Sequence, residues 1–104
     1  MFSHVVIFWT DPAKPNAADE LVAGAARYLA RAPGIQHFHV GKMSASPRPV
    51  VDQSYQVGLN IVFDSKRSQD DYQSHPLHLG FMESCQTELP RAGGLRVRRL
   101  AEAG

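Results

Sequence analysis

The chain has 104 residues, of which 43% are hydrophobic and 20% are charged, and its net charge is +1. This length is enough for one domain, spanning residues 1–104, with a single core in two layers. The composition is that of a globular protein and argues against disorder. A charge so close to zero gives no general attraction to nucleic acid or to an anionic membrane, so neither is expected as a partner.

The cysteine content and the N-terminal residues indicate a compartment. Cys85 is the only cysteine, so no disulfide framework is expected within the chain. The sequence contains no apolar run of about 18 residues, the length needed to span a bilayer. The N-terminus lacks the basic and apolar regions of a secretory signal, and a cytoplasmic location is therefore the default expectation.

The first predicted elements are a strand and a helix. The segment from Phe2 to Trp9 is rich in β-branched and aromatic residues, which is typical of strands. After a turn-rich break, Asn16 is the expected N-cap of a helix, with Asp19 and Glu20 in its first turn. Apolar residues then recur at helical spacing as far as residue 29. The sequence Pro33-Gly34 predicts the end of this helix.

The rest of the chain predicts three more strands and two helical segments. We expect a strand at 35–40, a loop at 43–53 and a further strand from Tyr55 to Phe63. A helix capped by Ser65 should then run to about Gln73, and a second helical segment should begin at Pro76 and end near Glu83. A break at 92–94 precedes the last expected strand, at 95–100. Strand, helix, strand, strand, helix, strand is the order of a ferredoxin-like α+β fold, βαββαβ. Such a fold has an antiparallel four-stranded sheet with its helices on one face.

The first strand is apolar on both of its faces. Val5, Ile7 and Trp9 point to one side, while Phe2, Val6 and Phe8 point to the other, and a half-solvated strand would alternate apolar with polar residues. The predicted helices can cover only one face. The same face of a second copy is the simplest cover for the other, so we expect a homodimer in which two sheets pack into an α/β barrel.

Residues 72–81 hold the chemistry-bearing side chains. Tyr72 can donate a hydrogen bond to a carbonyl oxygen, and the imidazoles of His75 and His78 can carry a proton near neutral pH. Together they are suited to acid–base chemistry on a small carbonyl compound, without a metal or a cofactor. The residue before Pro76 is pushed out of helical geometry, so the chain is expected to turn there and to bring Tyr72 near His78.

A structural interpretation of the same residues stays open. Tyr72 can be a half-buried helix residue, His75 can cap the segment that Pro76 begins, and His78 can bind a backbone carbonyl or the phenol. His4 lies in an otherwise apolar face of the first strand, where a buried imidazole needs a partner. It is either a satisfied core histidine or a residue that lines a pocket.

Several motifs together resemble one family. They are His4-Val5-Val6-Ile7-Phe8, Pro33-Gly34-Ile35, Val40-Gly41-Lys42, Tyr55-Gln56-Val57-Gly58-Leu59, Phe63-Asp64-Ser65 and the run from Tyr72 to Phe81. As a set they resemble the stress-responsive α/β-barrel domain, whose members are dimeric ferredoxin-like proteins often called Dabb. Most members have no assigned activity, and one plant member performs an intramolecular aldol condensation on a linear polyketide.

That resemblance implies roles for individual residues. The acid–base histidine of the plant cyclase falls on His78, its assisting tyrosine on Tyr72 and a pocket histidine on His4. The candidate catalytic residues are therefore His78 and Tyr72, and the candidate substrate-binding residues are His4 and His75.

Other side chains carry weaker signals. His37 and His39 share a face of the second strand, but no clustered carboxylate accompanies them, so a metal site is a minority interpretation. As edge-strand residues they are expected to meet solvent or a second copy. Cys85 is interpreted as a small hydrophobic residue near a helix end. The arginines near the C-terminus are interpreted as a solvated edge strand protected from aggregation.

Three classes of function follow. The first is a small-molecule enzyme, polyketide-cyclase-like, that uses His78 and Tyr72. The second is a non-catalytic, stress-associated oligomer. The third is a cofactor-free monooxygenase or a haem-binding relative, by analogy of fold alone.

Overall fold

The computed structural model describes residues 1–11, 13–48, 50–87 and 95–104. Its elements in chain order are β1 (Phe2–Thr10), α1 (Pro15–Tyr28), β2 (Ile35–Lys42), β3 (Val57–Phe63), α2 (Lys66–Ser74), α3 (Pro76–Thr87) and β4 (Leu95–Ala103). The four strands form one antiparallel sheet in the order β2-β3-β1-β4. This confirms the predicted α+β ferredoxin-like fold, with β2 and β4 at its edges. The predicted break at 92–94 and the side chain of Cys85 lie outside the described residues.

The turn between α2 and α3 forms as the sequence predicts. The Ser65 hydroxyl accepts a hydrogen bond from the Ser68 amide at 3.2 Å and so caps α2. His75 ends that helix in an extended conformation, with φ −68° and ψ 141°. Pro76 then starts α3, because proline restricts the residue before it but suits the first turn of a helix. The outcome is a sharp bend between Tyr72 and His78.

The predicted cap of α1 is wrong. The helix begins at Pro15, one residue before Asn16, and Lys14 occupies the N-cap position, where its side chain does not cap the helix. The first N–H groups of a helix have no partner within the helix, so the absence of an N–H in proline costs nothing there. Proline can therefore begin the helix at this earlier position. Asp19 consequently lies beyond the first turn, where its carboxylate contacts Lys42 Nζ at 2.9 Å.

The core lies between the sheet and the helices. Its residues from β3 are Val57, Leu59, Ile61 and Phe63, all nearly inaccessible to solvent. From β1 and the helices it gains Phe2, Val6, Phe8, Ala17, Leu21, Ala25, Leu29, Tyr72 and Phe81. The strict alternation in β3 puts these side chains on one face of the sheet.

The other face of the sheet carries no helix in the part of the chain that the structure describes. A cavity of about 460 Å³ lies on it, lined on its apolar side by Val5, Ile7 and Leu100 and elsewhere by polar residues that include His39 and Asp52. We call this surface the open face. The prediction that β1 is apolar on both sides is therefore confirmed for Val5 and Ile7. Trp9 donates a hydrogen bond from Nε1 to Ser54 Oγ at 3.0 Å and stacks under Arg96.

An irregularity in β4 decides which of its side chains face the helices. Val5 pairs with Ala101 and Val6 with Arg99, so Leu100 is an extra residue in the register. Such a β-bulge shifts the alternation of side chains by one position. Arg99 and Glu102, which a regular strand would place on opposite faces, both reach the helix side, while Leu100 lines the open face. The strand also extends past the predicted end at Leu100.

Replacing Gly34 by alanine is expected to destabilise the protein by about 1–3 kcal/mol. Its φ is +83°, and an added Cβ would lie 2.6 Å from the Cβ of Ser68. Gly24→Ala is the control, because its added Cβ meets nothing closer than 3.9 Å and alanine favours a helix interior by about 0.5–1 kcal/mol. Urea unfolding of both variants at one protein concentration checks this, and equal midpoints would contradict it.

Candidate functional site

Three of the predicted site residues come together between the sheet and the bend that joins α2 to α3. Tyr72 is 2% exposed and packs against Phe63, with the ring centroids 5.1 Å apart. The ring of His78 lies 4.6 Å from that of Tyr72. His4 reaches the same place from β1, with its ring 6.2 Å from Tyr72 in an edge-to-face arrangement. The phenol ring of Tyr72 therefore lies close to both imidazoles.

The hydrogen bond of His78 sets its tautomer. Nδ1 lies 3.0 Å from the carbonyl oxygen of Gln73. A carbonyl can only accept, so Nδ1 carries the proton and Nε2 keeps its lone pair. Burial lowers the pKa of His78, an effect that the Gln73 carbonyl opposes and the charge of Arg99 reinforces. The ring is therefore a neutral base near neutral pH.

Tyr72 is held in its protonated form. Burial raises the pKa of its phenol far above the ordinary value, although the charge of Arg99 lowers it in part. A buried hydroxyl that does not ionise is a donor throughout the physiological pH range. Tyr72 and His78 thus form a donor and a base in contact with each other.

His75 takes the position that the structural interpretation describes. Its Nδ1 accepts a hydrogen bond from the Leu77 amide at 3.1 Å, which caps the first turn of α3. Its role as a substrate-binding residue stays a prediction. His37 and His39 are exposed on β2, and in the ranges described no three histidine, cysteine or acidic side chains gather as a metal site.

The residues that sequence reasoning missed lie on β4 and α2. Glu102 Oε1 is 3.2 Å from His4 Nδ1 and accepts a hydrogen bond from Gln69 Nε2 at 3.4 Å. Arg99 donates to Gln73 Oε1 at 3.1 Å. The sequence pattern predicts that β4 ends at Leu100 and that its arginines are solvated. No sequence signal reveals the bulge that turns Arg99 and Glu102 toward the helices.

The electrostatics of His4 combine two opposing effects. The side chain is 5% exposed, and burial is the main cause that lowers its pKa. The nearby Glu102 carboxylate raises the pKa, while Arg99 and His78 lower it further. His4 is therefore a buried imidazole whose ability to take up a proton depends on Glu102.

The two buried imidazoles predict a stability that falls in mild acid. Both pKa values are lowered in the folded chain, so the unfolded chain binds more protons below about pH 6.5. Stability is then fully present above that pH and is lost as the pH falls toward the folded pKa values, with a slope of at most about 1.4 kcal/mol per pH unit per imidazole.

Denaturant unfolding between pH 5 and pH 8 measures this slope. The variant His78→Gln is expected to flatten it, whereas His37→Gln, a change at an exposed position of β2, is expected to leave it unchanged. An equal slope in all three proteins would contradict the assignment.

This cluster and the cavity lie on opposite sides of the sheet. His4 points toward the helices, whereas its neighbour Val5 and the next alternate residue, Ile7, line the cavity of the open face. The chemistry-bearing side chains and the open face are therefore two separate features of β1, and each needs its own explanation.

Solved structures with the same fold define the class of protein. A protein of Arabidopsis thaliana is 23% identical with a TM-score of 0.68, and the match covers 100% of this chain and 97% of that one. A dimeric ferredoxin-like protein of unknown function from Thermobifida fusca is 17% identical with a TM-score of 0.65, covering 96% and 89%. A hydroxynitrile lyase from Passiflora edulis is 15% identical with a TM-score of 0.64, covering 99% and 93%. At these identities the likeness shows the ferredoxin-like fold.

The family follows from the sequence itself. Residues 2–92 match the stress responsive A/B barrel domain, Dabb, and the chain belongs to that family. The resemblance seen in its motifs is thereby confirmed. A search of curated proteins found no match. Among the described residues, no helix has the length and apolar character needed to cross a membrane.

Proposed function

We propose that this Dabb protein binds a small carbonyl compound beside Tyr72 and His78 and catalyses proton transfer on it. The observation that carries the proposal is the contact between their rings, at 4.6 Å, with the protonation states that their surroundings impose. His78 is neutral with Nδ1 bound to a carbonyl, and Tyr72 is protonated. A base and a hydrogen-bond donor are the two groups that enolisation of a ketone requires.

The steps assign one task to each group. His78 Nε2 accepts a proton from the carbon next to the carbonyl, and the electron pair of that C–H bond moves onto the oxygen. The Tyr72 hydroxyl donates a hydrogen bond to this oxygen as its charge develops. His4, whose ring is 6.2 Å from that of Tyr72, is an accessory group of the proposed site. Because His4 and Tyr72 are buried and His78 is half-buried, their interactions with a developing charge are stronger than they would be in solution.

The fold supports this proposal by analogy. The hydroxynitrile lyase from Passiflora edulis is built on the same fold, so this architecture can host lyase chemistry. The resemblance of His78, Tyr72 and His4 to the residues of a polyketide cyclase points in the same direction. Both arguments concern relatives, so the assignment depends on a direct test.

Proton exchange in D₂O provides that test. We expect the protein to accelerate deuterium incorporation next to the carbonyl of 1,3-diketones, measured by proton NMR with a series of increasing chain length. The acceleration should saturate with diketone concentration, because the compound binds beside Tyr72. Rates equal to those in buffer for every member, with no shift of the Tyr72 or His78 resonances, would contradict the proposal.

We also propose that the protein is a homodimer that joins two open faces. Val5, Ile7 and Leu100 give this face an apolar centre, and Leu100 is 51% exposed in the single chain. Monomeric proteins seldom leave such a patch uncovered. The Thermobifida fusca protein with this fold is described as dimeric, which supports the proposal. Light scattering at micromolar concentration is expected to give the mass of two chains, and the mass of one would contradict it.

The two proposals separate the remaining functional classes. A protein that forms a dimer but does not accelerate ketone proton exchange would favour the second class, the non-catalytic oligomer. The feature that supports this class is the open face. The monooxygenase or haem-binding alternative stays a prediction, and a visible absorption band after incubation with haem would support it.

A further inference from the structure

Glu102 lies at the centre of a group of side chains drawn from three elements. Its Oε1 atom is 3.2 Å from His4 Nδ1 on β1, 3.4 Å from Gln69 Nε2 on α2 and 3.9 Å from Arg99 Nη1 on β4. The bulge at Leu100 is what brings this carboxylate to the helix side of the sheet. The C-terminal strand therefore adds a charged group to a site whose other members come from β1, α2 and α3.

The burial of the two partners is unequal. The His4 side chain is 5% exposed, whereas that of Glu102 is 37% exposed. The two atoms are within ion-pair distance but are not yet aligned as a hydrogen bond, since His4 Nδ1 has no partner of suitable geometry among the described residues.

A carboxylate in this position selects one tautomer of the imidazole. An ionised carboxylate only accepts, so the proton of a neutral His4 belongs on Nδ1 and the lone pair on Nε2. The Gln73 carbonyl imposes the same tautomer on His78. Two imidazoles with the same proton arrangement thus lie near the Tyr72 phenol, with ring centroids at 6.2 Å and 4.6 Å from it.

We infer that Glu102 is a positioning residue that makes His4 a second acid–base group of the site. The carboxylate holds Nδ1–H and stabilises the imidazolium, and Nε2 exchanges protons with the bound carbonyl compound. This inference rests on the proposed function and deepens it: the substrate class becomes a carbonyl compound that loses a proton at carbon and gains one at oxygen. His78 takes the first proton. The protonated form of His4, which becomes populated only as the pH falls toward its lowered pKa, supplies the second from Nε2. Its N–H bond breaks as the O–H bond forms, and a neutral ring remains.

Other charged groups oppose Glu102 at this position. Burial, Arg99 and His78 all disfavour the imidazolium form of His4, and Glu102 favours it. Removing the carboxylate while keeping its shape should therefore make His4 much harder to protonate. His78 should respond less, since its own ring nitrogen is bound to the Gln73 carbonyl.

Long-range proton–nitrogen NMR of the histidine rings tests the inference without any substrate. In the unmodified protein we expect neutral His4 to carry its proton on Nδ1. In Glu102→Gln, which keeps the size of the side chain, we expect the pKa of His4 to fall by about one unit or more. Asp70→Asn is the control, since it removes an exposed carboxylate that pairs with Lys66. A proton on Nε2, or an unchanged pKa in Glu102→Gln, would overturn the inference.

The exchange assay separates this inference from the proposed function. If the unmodified protein exchanges ketone protons, Glu102→Gln should lower kcat at least tenfold with little change in KM, and should shift one limb of the pH profile. Exchange in the unmodified protein with an unchanged rate and pH profile in Glu102→Gln would leave the proposed function standing and remove the role of Glu102. Absence of exchange in the unmodified protein would instead remove the proposed function.

Discussion

Replacing His78 by alanine is expected to lower the rate of ketone proton exchange by about 10²–10⁴-fold, the range that general acid–base catalysis contributes. The variant should have a lower kcat and a nearly unchanged KM, because the imidazole interacts with the proton in the transition state and not with the bound ligand in its ground state. Exchange by the unmodified protein should rise with pH as His78 loses its proton. The midpoint should lie below about pH 6.5, since burial lowers the pKa of this imidazole.

Replacing Tyr72 by phenylalanine isolates the donor. The ring and its packing against Phe63 remain, and only the hydroxyl is removed. Loss of one such donor typically costs about 10²–10³-fold in kcat. The pH midpoint should stay in place, because the base is unchanged.

Two controls keep these results interpretable. His37→Gln removes an imidazole at an exposed position of β2 and should leave the rate unchanged. His78→Gln retains most of the volume of the ring and should be as slow as His78→Ala. Near-normal rates in the Tyr72 and His78 variants, with folding verified by circular dichroism, would remove both residues from the mechanism.

Local sequence signals were sufficient for most of the fold and for half of the site. The alternation in β3 indicates which of its side chains meet the helices, and Pro76 causes the bend that brings Tyr72 and His78 into contact. These features depend on residues that are close together in the chain, so they can be predicted from a short stretch of sequence. The helix α1 starts two residues earlier than predicted, with Lys14 and not Asn16 at the N-cap position, because Pro15 suits the first position of a helix.

The rest of the site depends on pairing between the two ends of the chain. Glu102 reaches His4 only because β4 pairs with β1 and because an extra residue, Leu100, shifts its side-chain alternation. Neither the register between β1 and β4 nor the bulge in β4 can be predicted from the amino-acid composition of the strands. Sequence reasoning therefore assigned Arg99 to a solvated strand, although its charge acts on both imidazoles and on the phenol.

The same bulge links the two faces of the sheet. At successive positions of β4, Arg99 meets α2 and Leu100 lines the open face, while Glu102 returns to the site. A partner that covers Leu100 would also hold the bulge in place, and with it the carboxylate beside His4.

Leu100→Asp is accordingly expected to dissociate the dimer. The side chain is 51% exposed in the single chain, so the monomer can accept a carboxylate there, but a two-fold interface would bury two unpaired charges. We expect the dissociation constant to rise by a factor of about 1,000 or more, equivalent to about 4 kcal/mol. Leu79→Asp is the matched control, because Leu79 is 53% exposed on α3, away from the open face. Light scattering should then give one chain for Leu100→Asp and two for Leu79→Asp, and a dimer in both variants would show that the open face is not the interface.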